Sequence, residues 1–264
     1  MRRTTLAAVC LAAAATVGLT ACGSESAGSG GAGSSKGSSD AGKSDAGKKE
    51  AGPFPGLSGP EIVDKAVKAT TDASSLTVQG KVPDEDGTIE LDMAFDTKGR
   101  CAGSMAMGGE GSLDLITTKS TVYMKYDEKF LRAQGKGEPA AETDAAVNML
   151  ADKWVKTSAT GADTKEIAEF CDLDVLLADF KDVDSAASRG KTTTVDGTPA
   201  LTLTERDGKD RHTLYVATEG KPYLLKIVNE SAKTPEFLSF SDFDKPVDAT
   251  PPKGDVMDID KLAG

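Results

Sequence analysis

Four cysteines, one histidine and a few acidic and glycine clusters are the residues of this chain with types and spacing suited to chemistry. Cys22 closes the string Leu19-Thr20-Ala21-Cys22. A leucine, two small residues and a cysteine form the bacterial lipobox. Small side chains fit a narrow protease cleft, and the thiol is the nucleophile that accepts diacylglycerol. The residues before it read as an export signal: Arg2 and Arg3 supply a positive start, and Leu6 to Leu19 form an alanine-rich apolar stretch. That stretch falls short of the roughly 20 apolar residues a membrane span needs. Met1-Arg2-Arg3-Thr4-Thr5-Leu6 lacks the remainder of a twin-arginine motif, so the general secretory route is expected. The reading is a signal peptide over 1–21, lipid on Cys22, and a protein anchored by that lipid at the extracytoplasmic face of the cell membrane.

With Cys10 lost in the signal and Cys22 acylated, Cys101 and Cys171 remain. An even pair in an oxidising compartment predicts a disulfide, and the competing reading is two buried free thiols. Neither sits in a C-x-x-C pair, so no zinc or thioredoxin-like site is expected. His212 is the sole histidine, and no nucleophile, base and orienter assemble around it; it reads as a structural or rim residue. Asp84-Glu85-Asp86-Gly87 lacks the later ligands of an EF-hand loop and reads as a hairpin turn. The Gly-rich 102–111 stretch has no Lys-Ser/Thr ending and is not a P-loop; it reads as closely packed strands. No catalytic residue, metal or cofactor is expected, and the chain is read as no enzyme. Trp154, Tyr123, Tyr126 and Tyr223 fit a core or a pocket equally.

Charge narrows the partners. The chain carries 31 basic and 42 acidic side chains, and loss of Arg2 and Arg3 with the signal takes the net charge from −11 to −13. Such a chain is repelled by nucleic acid and by anionic headgroups, so membrane attachment falls to the lipid on Cys22. A monomer is expected. Residues 22–56 are Gly, Ser, Ala, Lys and Asp almost throughout, a flexible tether spanning roughly 30–35 Å by random-coil scaling. Pro53-Phe54-Pro55-Gly56 marks its end, and 57–264 has the length of one domain.

That domain must be built from a helix and many strands. Ser58-Gly59-Pro60-Glu61 is a capping box, followed by Ile62, Val63, Ala66, Val67 and Thr70 at helical spacing. Alternation then predicts strands: Leu76, Val78, Gly80, Val82; Ile89, Leu91, Met93, Phe95; Cys101, Gly103, Met105, Met107; Leu113, Leu115; and short ones at 122–125 and 129–133. A helix is expected over 139–152 with Trp154 in line. Another is expected from Asp172, with Leu173, Leu176, Leu177 and Phe180 on one stripe. Asp196-Gly197, Asp207-Gly208 and Glu219-Gly220 punctuate strands at 188–195, 200–206, 211–217 and 222–229, with a last strand at 236–242. The tail from Pro246 reads as irregular.

The lipobox, the polar tether and the amphipathic helix running into Asp72-Ala73-Ser74-Ser75-Leu76-Thr77-Val78 together resemble the LolA-like lipoproteins of the LppX/LprG type. The closing Phe237-Leu238-Ser239-Phe240-Ser241-Asp242-Phe243-Asp244-Lys245-Pro246-Val247 does so too. The cysteine pair and the 135–170 region depart from that pattern. The resemblance implies an α+β fold, a curved antiparallel half-barrel sheet with helices packed on its concave face, holding an apolar cavity for acyl chains. From the residues alone the inward apolar side chains form either a filled core or such a cavity; the resemblance favours the cavity. Leu91, Met93, Met105, Met107, Leu115, Leu176 and Leu177 are then the expected lipid-binding residues, with a lipid or lipoglycan as ligand. The alternative is an envelope interaction or sensor module without lipid cargo.

Overall fold

The computed structural model describes residues 52–84, 87–161, 164–178, 186–234 and 236–261. The expected signal peptide, Cys22, the expected tether up to residue 51, Glu85-Asp86 of the expected turn and Phe180 lie outside the described residues. Residues 51–264 form one compact unit.

The domain opens with α1 (Gly59–Thr71), capped as the sequence predicts: Ser58 and Glu61 exchange both capping-box hydrogen bonds. Gly59 is required there, because a Cβ would sit 1.8 Å from the Ala187 carbonyl oxygen. Ile62, Val63 and Ala66 are buried on one stripe.

Among the described residues, twelve strands follow in one open sheet. They are β1 (Ser75–Asp84), β2 (Gly87–Asp96), β3 (Cys101–Met107), β4 (Gly111–Thr117), β5 (Thr121–Tyr126), β6 (Trp154–Ser158), β7 (Ser188–Val195), β8 (Thr198–Asp207), β9 (Asp210–Ala217), β10 (Leu224–Asn229), β11 (Glu236–Ser241) and β12 (Val256–Asp258). Their spatial order is β12-β6-β5-β4-β3-β2-β1-β11-β10-β9-β8-β7, so two meanders meet where β1 pairs with β11. The sheet does not close into a barrel. Every pairing is antiparallel except β12 on β6. The Asp196-Gly197 hairpin has both central residues at positive φ, 47° and 82°, as a two-residue turn between right-twisted strands requires.

Between β5 and β6 lie α2 (Glu128–Gln134) and α3 (Ala140–Leu150); α4 (Lys165–Phe170) and α5 (Leu173–Leu176) precede β7. Four expectations need correction. Residues 129–133 are helix: the Asp127 carboxylate caps the Phe130 amide at 2.6 Å and also takes the Ser112 amide, a signal that alternation over five residues hides. Trp154 does not extend the preceding helix but starts β6, because Asp152 breaks the run at φ 57° and the next residues pair with β5. The helix from Asp172 is one turn long, preceded by α4, which the sequence reading lacked. The tail is ordered where Val256–Asp258 adds a parallel strand on β6, followed by a 3₁₀ turn at Ile259–Lys261.

The two faces of the sheet differ as alternation demands. Outward, Lys81 pairs with Glu90, Gln79 donates to Asp92, and Lys125 meets Asp114 at 2.7 Å. Inward lies the apolar core, covered by α1 against β7, β9 and β10 and by α4–α5 against β2–β4.

Candidate functional site: the inward apolar face

Register places inward side chains in rows that cross the strands. One row runs Leu76, Phe95, Cys101, Thr117, Val122, and the next runs Val78, Met93, Gly103, Leu115, Met124, Val155. Every side chain in these two rows is buried, and Met93 and Phe95 are 0% exposed. Gly103 leaves no spare room: a Cβ there would lie 2.0 Å from the Asp92 carbonyl oxygen and 2.8 Å from Met93 Sδ.

The cover over these rows is pinned by sulfur and rings. Cys101 and Cys171 form a disulfide with Cα atoms 5.3 Å apart, joining β3 to the end of α4. Phe170 meets Phe95 edge-on at 5.7 Å, and Asp172 bridges to Asp96. Leu173 and Leu177 are buried in the same core. On the other half, the Thr70 hydroxyl of α1 accepts the Leu224 amide at 2.9 Å.

The next two rows are different. Leu91, Met105, Leu113 and Tyr126 form one, continued across the β1–β11 seam by Leu238 and Ile227; these six are half-buried, while Leu214 and Leu203, which carry the row on to β9 and β8, are buried. Beyond them Val82, Ile89 and Met107 share a rim row and are also half-buried. Along β2 the face therefore grades from closed at Phe95 and Met93 to open at Leu91 and Ile89. Across the seam the rim turns polar: Glu205, His212 and Asn229 stand opposite one another, and Asn229 Nδ2 donates to Glu236 Oε2 at 2.9 Å.

Of the expected lipid-binding residues, the register brings Leu91, Met93, Met105, Met107 and Leu115 onto one face. Met93, Leu115 and Leu177 are sealed in the core, whereas Leu91, Met105, Met107 and Leu176 keep exposed surface. Leu238 and Ile227 were missing from the sequence reading of this face; carrying the alternation through their two strands would have found them. Tyr126 was noted but not placed. It stacks on Phe130 at 5.4 Å, and burial pushes its phenol pKa up. Arg189, on the inward side of β7 opposite Leu203, had no sequence signal.

Among the described residues, no group of three or more His, Cys, Asp or Glu side chains is placed to hold a metal ion. None of their helices is long and apolar enough to cross a membrane. An exposed polar and charged cluster gathers on Asp244. Asp244 accepts from Lys221 Nζ at 2.8 Å, from the Tyr223 hydroxyl at 2.7 Å and from the Ser74 amide at 2.9 Å. These donors hold its carboxyl well below the usual range, Lys221 foremost. Tyr223 stacks on Phe243 at 3.8 Å, so the cluster ties the β9–β10 connection to the α1–β1 junction.

No protein-family model matches the chain, and no curated protein matches it. Among solved structures, LprF from Mycobacterium bovis aligns with a TM-score of 0.50 at 14% identity, covering 74% of this chain and 97% of that one. The chain has the fold of LprF. The lipoprotein LppX of Mycobacterium tuberculosis aligns with a TM-score of 0.43 at 13% identity, over 72% of this chain and 96% of LppX. The LppX/LprG-type architecture expected from the sequence, an open antiparallel-rich sheet with a few helices, is present.

Proposed function

We propose that this protein is an extracytoplasmic lipoprotein, anchored by lipid on Cys22, that binds or carries lipid acyl chains against the inward face of its sheet. The observation that carries the reading is the burial gradient. A filled core would close all four inward rows, yet Leu91, Met105, Leu113, Leu238 and Ile227 stay half-buried beside a sealed layer. Contiguous apolar surface of that kind supports a binding-site reading. Met105 and, in the rim row, Met107 suit an adaptable wall, since the unbranched thioether accommodates chains of different shape. Hydrocarbon burial gives about 0.8 kcal/mol per CH₂ and has no direction, so acyl chains would be recognised with little chemical selectivity. Exchange of cargo with a membrane would be driven by that burial, and the tether would set the reach.

Native mass spectrometry of the protein purified from its own host tests the reading, beside titration with a dansyl-labelled fatty acid. Co-purified lipid and saturable probe binding are expected. A protein that carries no lipid and binds no probe would overturn the carrier function and favour an envelope interaction module.

A further inference from the structure

The segment that leads into the domain packs against its apolar core. Phe54 and Leu57 are half-buried against the core, just before the helix cap at Ser58. One side chain of the sheet holds this segment. Arg189 Nη1 donates to the carbonyl oxygens of Phe54 at 2.9 Å and Leu57 at 2.7 Å, and Nη2 donates to that of Pro53 at 2.7 Å. Arg189 stands opposite Leu203, at the β7 end of the row that contains Leu238, Ile227 and Leu214.

The held conformation is strained. Phe54 has φ +58°, a left-handed backbone that a bulky L-residue rarely adopts, and it precedes Pro55, where extended conformations are favoured. Such a geometry persists only while its surroundings enforce it. Here they are three hydrogen bonds from one guanidinium, the Leu57 amide donating to the Phe54 carbonyl oxygen at 3.3 Å, and the half-burial of Phe54 and Leu57. The hinge is equally defined. From Gly59 onward the helix is fixed by its contact with Ala187 and by buried Ile62, so residues 53–57 can swing about Ser58 without disturbing α1.

We propose that Pro53–Leu57 is a latch on the apolar face: Phe54 covers its Arg189 end until an acyl chain displaces the ring. This inference rests on the lipid-binding reading above. A ring and a hydrocarbon chain compete for that surface because burial of either is non-directional. The latch also couples cargo to the anchor, since residue 53 continues directly into the tether. Loading would release the strap's backbone, and closing it would expel cargo.

The full chain is tested with a dansyl-labelled fatty acid. If the latch is closed about nine-tenths of the time, apparent affinity is lowered about tenfold, and opening it restores that factor. Phe54→Ala should therefore tighten the probe's Kd by about tenfold, and Arg189→Gln should move it in the same direction. In the wild type, saturating probe should speed hydrogen exchange at the Leu57 amide, which donates to the Phe54 carbonyl oxygen at 3.3 Å. This second readout needs no variant and decides the matter even if Arg189→Gln fails to fold. Wild type and Phe54→Ala binding equally well, or a Leu57 amide that stays as protected with probe as without, would overturn the latch and leave the carrier reading standing. If neither protein binds probe, the carrier reading falls, and the latch falls with it.

Discussion

Leu91 and Met93 are two residues apart on one strand and point the same way, yet one is half-buried and the other fully buried. Replacing each by Trp separates an acyl-chain site from a packed core. At Met93 an indole must be forced among Gly103, Phe95 and Val78, where even a Cβ on Gly103 would touch Met93 Sδ. Overpacking of this kind costs about 1–3 kcal/mol. For a domain of this size 1 kcal/mol moves Tm by about 2–4 °C, so Met93→Trp should melt about 2–12 °C lower. Leu91→Trp has open space to fill and should melt within about 2 °C of wild type. Its effect falls on binding. The indole exceeds leucine by roughly the volume of two methylenes, and excluding two from burial removes about 1.6 kcal/mol, or roughly fifteenfold in Kd. Thermal melts run beside the fatty-acid titration read both quantities. A Leu91→Trp protein that binds probe as wild type does, or that melts as low as Met93→Trp, would refute the assignment of the open row.

Other perturbations probe other parts. Cys22→Ser should release the protein from membranes or leave the precursor unprocessed, and fractionation with immunoblotting would show it; a processed variant still fully membrane-bound contradicts lipid anchoring. Cys101→Ala with Cys171→Ala opens a loop with a sequence separation of 70. Chain entropy then sets the loss of stability at roughly 4 kcal/mol, and denaturant melts should report most of it; an unchanged midpoint would remove the disulfide as the pin of α4 and α5. Asp244 is held below its ordinary pKa of 3.8 by Lys221, then Tyr223 and the Ser74 amide. A depressed folded-state pKa adds stability above the unfolded value and loses it as pH falls through the folded one. Asp244→Asn should therefore flatten the acid limb of the Tm profile between about pH 5 and pH 2. The site is exposed, so the effect is modest, about 0–1 kcal/mol; a profile as steep as wild type would show the cluster adds nothing.

Much of the domain was legible locally. The capping box at Ser58 and Glu61 needs only four residues, and Asp196-Gly197 encodes its own turn because both positions must take positive φ. Period-2 alternation in Leu76–Val82, Ile89–Phe95 and Cys101–Met107 set which side chains share a face, since a strand offers only two. With Cys10 and Cys22 assigned to an expected signal and lipobox, Cys101 and Cys171 left one intramolecular pairing. Other features were decided by distant partners. Residues 129–133 read as a strand until the Asp127 cap, itself held by Ser112, made them helix. The five residues of β6 and the three of β12 are too short to signal themselves and exist through pairing with β5 and with each other. Alternation also could not tell Met93 from Leu91, because both are apolar and face inward. Which of them is sealed depends on where α4, α5 and α1 come to rest over the sheet, and the clamp of Arg189 on Pro53, Phe54 and Leu57 joins positions more than 130 residues apart. Periodicity reports the side of a strand, while depth and closure are set by what the rest of the chain lays across it.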